Sequence, residues 1–249
     1  MNALGLRRDP IRLVLSRAPW SAAWYLTGYL FIGTALFAIA LTAVLTGAVL
    51  AITLAGIPLL VAAAGVVRWC ADVERARLRP RYGDVEGGYR APAGPGVMAM
   101  LRTRRQDPAT WRDIAYLLGM YVPLVTLDVI VLTLWLTFLA GITLPLWYWA
   151  PWQSIHGTRF HGYQLGYFPN GPHGHPGYGL YIDTLPKALV AAAVSLILFL
   201  LFNYALVATA RAHTAAARAL LGRQEDPLRE AKEVLRRPGA LNTLIPNER

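Results

Sequence analysis

Tyr116–Thr137 reads YLLGMYVPLVTLDVIVLTLWLT and holds one charged residue, Asp128. As a helix rising ~1.5 Å per residue, it covers the ~30 Å hydrocarbon core of a bilayer. It is also a near-copy of Tyr25–Thr46. At a fixed offset of 91 the two agree at Tyr25/Tyr116, Gly28/Gly119, Thr42/Thr133 and Thr46/Thr137, and at five further Leu and Ile positions. Agreement at Tyr, Gly and two Thr points to an internal repeat rather than to two unrelated apolar helices.

Composition agrees with membrane insertion. The chain is 55% hydrophobic and only 15% charged, with a mean hydropathy of +0.39, too apolar and charge-poor for a typical soluble domain. No cleavable small-residue site precedes the first apolar stretch. A single cysteine, Cys70, excludes an intrachain disulfide framework, and its place beside Arg68 suggests a reduced thiol without chemical role.

Four spans are expected, at 22–47, 50–67, 113–138 and 187–208. Trp20, Trp24, Tyr25 and Tyr29 open the first span as an interfacial belt. Gly47 is read as a tight turn into the second, and Pro58 as a kink within it. Residues 1–19 carry Arg7, Arg8, Arg12 and Arg17 among apolar residues, with a helix-start signal at Asp9-Pro10, and read as a basic amphipathic segment on the membrane surface. Asp107-Pro108 and Asp226-Pro227 give the same start signal. The exit of the fourth span matches that of the second at an offset of 143 (Arg68/Arg211, Arg75/Arg218, Leu78/Leu221), so the second hairpin is the first with 52 residues inserted at its tip.

Cationic residues settle the expected topology. Of 24 Lys and Arg, four precede the first span, ten lie between the second and third, and eight follow the fourth; only Arg159 and Lys187 fall in the remaining loops. Positive charge stays on the cytoplasmic side. The expected fold class is therefore an all-α integral plasma-membrane protein. Its four transmembrane helices form two tandem hairpin repeats (20–78 and 111–222), with both termini and the 79–110 connection cytoplasmic. One extracytoplasmic loop runs over 147–186, and 223–249 form a cytoplasmic tail. The arginines flank apolar spans rather than forming a patch with stacking aromatics, so lipid and not nucleic acid is the expected partner.

Candidate sensing residues are Asp128, Trp147, Trp149, Trp152, His156 and His161. A carboxylate about fifteen residues into a span is costly unless partnered or protonated; Thr53 and Ser195, at similar depth, are its expected partners. The tryptophans fit an interfacial belt or a ligand pocket. His156, His161, His173 and His175 have ligand types for zinc or copper, but their Gly- and Pro-rich surroundings fix no geometry, and solvated loop histidines are the plainer expectation. His213 lacks the acidic neighbour of a phosphoacceptor histidine. No nucleotide loop, no catalytic set and no cofactor site is read, so no enzymatic activity is expected.

The stretches WRDIAYLLGMYVPLVTLDVIVLTLWL, LPLWYW, DTLPKALVAAAVSLILFLL and ARAHTAAARALLG, with GIPLL and ERARL earlier, resemble the sensor-domain family of actinobacterial two-component proteins over most of 20–222. The resemblance implies four spans and a sensory input role, commonly N-terminal to a histidine kinase. Autokinase activity is not carried over, since no acceptor-histidine helix or ATPase domain follows Gly222 in this sequence. A signal-input protein acting as a homodimer or with a separate histidine kinase is the expected function. The alternatives are a transport or export accessory subunit, and a structural membrane organiser.

Overall fold

The computed structural model describes residues 10–50, 56–83, 85, 87–91, 94–155, 157–170 and 177–222. The helices are α1 (Pro10–Val14), α2 (Arg17–Leu50), α3 (Gly56–Tyr82), α4 (Val97–Gln106), α5 (Pro108–Ile114), α6 (Tyr121–Ile142) and α7 (Leu185–Leu221). A π-helical turn, Ala115–Gly119, joins α5 to α6. Among the described residues, three helices are long and apolar enough to cross a membrane: Arg17–Leu50, Pro108–Ile142 and Leu185–Leu221. Only 22–28% of the most apolar stretch of each is buried within the protein. Phe31, Val129, Ile130, Leu189 and Ile197 stand exposed on them, a distribution that suits hydrocarbon and not water. The chain is a mostly helical membrane protein.

Several expectations change. Tyr116–Thr137 is not regular α-helix throughout: the helix is π-wound to Gly119, has a turn at Met120, and is α-wound again from Tyr121. Pro123 has no N–H to give the carbonyl four residues back, so the ladder upstream of it is rewound. Gly47 makes no turn, since α2 runs on to Leu50. A Cβ on Gly47 would meet Ala63 at 3.2 Å, so the glycine serves close packing. Pro58 lies near the first described residues of α3, and the chain is helical on both sides of it. Among the described residues, about a dozen of α3 precede Arg68, and α3 is not one of the three span-length helices; 51–55 of the expected second span lie outside the described residues. The first-turn reading of Pro108 holds, while Asp9, Thr53 and the Asp226-Pro227 start lie outside the described residues, so the Asp9-Pro10 start is not decided.

The all-α expectation also fails at 152–182. Here β1 (Trp152–Ile155) pairs antiparallel with β2 (Thr158–His161), and β3 (Tyr163–Tyr167) with β4 (Tyr178–Ile182). The apolar-polar alternation of Tyr163-Gln164-Leu165 and the aromatic content favour strands. Gly166 and Gly179 face each other across the second sheet with φ of 138° and 148°. A Cβ on Gly166 would sit 2.6 Å from the Gly179 Cα.

The described residues divide into two compact units. The first comprises 10–39 and 117–216. Its core holds Leu26, Leu36, Leu124, Leu132, Trp135, Phe199 and Leu206. Trp135 Nε1 donates to Asn203 Oδ1 at 3.1 Å, and Trp20 packs edge-on against Trp135. Tyr121 stacks on Phe37 and donates its hydroxyl to Thr34. The second unit comprises 40–116 and 217–222. It is held by ion pairs from α3, the part-buried Arg68–Asp107 at 2.8 Å and the buried Arg75–Asp113 at 2.7 Å. Asp107 also caps α5 through Ala109 N.

Candidate functional site

In the first unit, α6 and α7 approach closely where Gly141 faces Ser195; a Cβ on Gly141 would lie 2.8 Å from the Ser195 Cβ. Small residues let two apolar helices close at such a point. From here the helices border a half-enclosed cavity of about 830 Å³. Phe138 and Leu144 form one wall, Val190 and Val194 another, and Leu165 and Leu180 of the β3–β4 sheet a third. The Tyr163/Ile182 end of that sheet seats on Leu144, Ala188, Trp147 and Ala191. Trp147 donates Nε1 to Thr143 Oγ1 at 3.0 Å and meets Tyr163 edge-on at 5.7 Å. The polar groups at the rim are already engaged. Lys187 Nζ lies 2.6 Å from Asp183 Oδ1, and Tyr181 donates to the His161 carbonyl at 2.6 Å. Burial and the nearby Asp183 carboxylate push the Tyr181 phenol above its ordinary pKa.

Farther along the same pair of helices, Asp128 Oδ1 lies 2.7 Å from His213 Nε2, and neither side chain is exposed. The contact is a close approach rather than an aligned hydrogen bond. Tyr29 and Tyr25 pack edge-on against the imidazole, at 4.7 and 6.1 Å between ring centres. Both tyrosines are buried, so they are not part of the interfacial belt expected of them; Trp20 and Trp24 are exposed. Ser195, expected beside Asp128, lies instead against Gly141. α7 is unbroken to Leu221, and His213, beyond the expected end of the last span, lies opposite the carboxylate.

In the second unit, Arg75 gathers four partners. Its guanidinium reaches Asp72, Asp113 and the Tyr89 hydroxyl at 2.6–2.7 Å, and Nε donates to the Leu221 carbonyl at 3.1 Å. The last group is an end carbonyl of α7, which has no helical donor of its own. Tyr89 in turn donates to Asp113 at 2.7 Å. Burial, then the hydrogen bond to that carboxylate, pushes the Tyr89 phenol well up. Glu74 accepts from Tyr116 and holds Arg77. Cys70 is buried, which raises its thiol pKa and makes it a poor nucleophile.

Of the sequence-selected residues, the structure places Trp147 on the cavity wall and Asp128 in the buried pair. Trp149 and Trp152 are exposed and line no part of this cavity; Arg159 sits over the Trp152 ring at 5.2 Å. His161 is exposed, and its carbonyl, not its imidazole, is used. His156, His173 and His175 lie outside the described residues. Among the described residues no group of three or more His, Cys, Asp or Glu could hold a metal. Sequence reasoning missed the Asp128–His213 pairing and the Arg75 hub. The Arg75/Arg218 repeat match was the one signal touching the hub.

A family model described as "Putative sensor" matches residues 25–221. No curated protein and no solved structure matches the chain.

Proposed function

The chain belongs to that sensor family, and from this premise we propose that it is a signal-input protein of the plasma membrane. It takes an extracytoplasmic or membrane stimulus at the β-sheet end of α6 and α7 and passes it to a cytoplasmic partner. The observation that carries the reading is α7. One unbroken helix of 37 residues lines the cavity near its start, carries His213 farther along, and ends at Leu221, whose carbonyl Arg75 grips. A stimulus that favours one packing of α7 over another would change what Arg75 holds, and with it the surface near the arginine-rich connection.

The finer topology belongs to the same proposal: four passes as tandem hairpins, with termini and the 79–110 connection cytoplasmic. The distribution of arginine supports it. A homodimer, or a complex with a separate histidine kinase, receives the signal. The test is a bacterial interaction screen of the full chain against itself and against co-encoded kinases, with and without Arg75→Ala. An interaction weakened by the substitution supports the reading; absence of any partner, including a second copy, would sink it.

A buried acid–imidazole pair in a span also suits a transport accessory subunit. Ion flux through reconstituted protein, abolished by Asp128→Asn, would favour that alternative.

A further inference from the structure

The cavity between α6, α7 and the β3–β4 sheet has a shape and chemistry that point to one class of ligand. Its lining is almost wholly aliphatic and aromatic, with the polar rim groups Lys187, Asp183 and Tyr181 already bonded to protein. It is long. Along α7 it runs from Pro186 to Ser195, ~13 Å at 1.5 Å per residue. The sheet prolongs it: register places Tyr163, Leu165 and Tyr167 opposite Ile182, Leu180 and Tyr178, so three apolar pairs share one face. Only the first pair seats on the helices. The second and third stand 55–75% exposed. An exposed apolar strip continuous with a cavity is a surface awaiting an occupant.

Both helices that wall the cavity are long and apolar enough to cross a membrane, so a bilayer crossed by them would bring lipid chains within reach of its opening. We propose that the cavity and the sheet face together bind the extended apolar chain of a membrane amphiphile, one acyl or isoprenoid tail. The site reads the chain and not the headgroup, because Asp183 already neutralises Lys187. The proposal rests on the sensory reading only for its purpose; binding itself is independent of signalling.

The test uses the full chain in phosphatidylcholine/phosphatidylglycerol nanodiscs and a long-chain fatty acid with a terminal diazirine, with photolabelled residues mapped by mass spectrometry. Labelling should concentrate on 137–147, 163–167, 178–182 and 186–195. Unlabelled fatty acid and its methyl ester should compete equally; a much weaker ester would overturn the chain-only recognition. Ala191→Phe, which fills the cavity, should cut labelling about tenfold, as a change of 1.4 kcal/mol in binding would. Should that variant fail to fold, Leu165→Ser with Leu180→Ser removes exposed side chains only and should lower labelling without altering elution or helicity. Labelling spread evenly over Phe31, Ile130 and Ile197, and unchanged in the variants, would overturn the site. Specific labelling without any interacting partner would instead retain the site and reject the signalling reading.

Discussion

Asp128 Oδ1 lies 2.7 Å from His213 Nε2, with both side chains fully buried, so two residues far apart in sequence fix the register of α6 against α7. Neither helix can slide by a turn without leaving a carboxylate or an imidazole in an apolar interior. Removing one partner from such a pair costs roughly 3–5 kcal/mol. Asp128→Asn and His213→Gln should each lower the thermal unfolding midpoint of the micelle-bound protein. Asp128→Leu combined with His213→Phe should lose far less than the sum of the corresponding single changes. Additive losses would show that the two side chains are not coupled.

The Arg75 hub predicts a contrast between its two aspartate partners. Asp113 is buried with the guanidinium, whereas the Asp72 side chain is 60% exposed. Asp113→Ala should destabilise by roughly 3–5 kcal/mol, and Asp72→Ala by less than about 1 kcal/mol. Arg75→Lys should resemble Arg75→Ala, because one ammonium cannot serve a carboxylate, a phenol and a carbonyl in the geometry of a planar fork. Limited proteolysis over 83–91, where Tyr89 is anchored, reports the release.

Tyr89 makes the hub sensitive to alkali. Burial and its hydrogen bond to Asp113 raise the folded-state pKa above the unfolded value of about 10. The sign follows: the folded form holds the proton more tightly. The stabilisation is therefore complete below about pH 10 and is lost as pH rises through the folded pKa. Unfolding followed from neutral to strongly alkaline pH should show this loss, and Tyr89→Phe should remove that component. A Tyr89→Phe profile parallel to that of the parent would refute it.

What could be read from residues alone follows the physics of each signal. Long apolar runs announce α2, α6 and α7 because the bilayer demands length and hydrophobicity over a whole segment. The helix start at Pro108 is legible because proline constrains its own backbone and Asp107 caps the turn. The π-turn before Tyr121 was not legible, although Pro123 marks it, because the ladder can adjust either upstream or by kinking. The strands at 152–182 were hidden by a composition that suits turns as well as sheet. Asp128 was visible as an anomaly, but its partner depends on interhelical register. A span boundary drawn by hydropathy ends near Arg211 and leaves His213 out of the search for partners. Trp147 was separable from Trp149 and Trp152 only once the sheet was seated on Leu144.

Gly141 and Ser195 offer the sharpest check on the α6–α7 approach beside the cavity. A methyl on Gly141 would meet the Ser195 side chain well inside van der Waals contact, with its Cβ at 2.8 Å. Gly141→Ala should therefore destabilise by roughly 1–3 kcal/mol, the usual cost of overpacking. Ser195→Gly alone should cost about 0.5–1 kcal/mol through backbone entropy. The exchange of both, Gly141→Ala with Ser195→Gly, returns the methyl to the space left by the serine and should recover more than half of the loss. Thermal unfolding in micelles reads all three variants. If the double variant is simply additive, the two backbones do not meet at this point, and the cavity bordered by them takes a different shape.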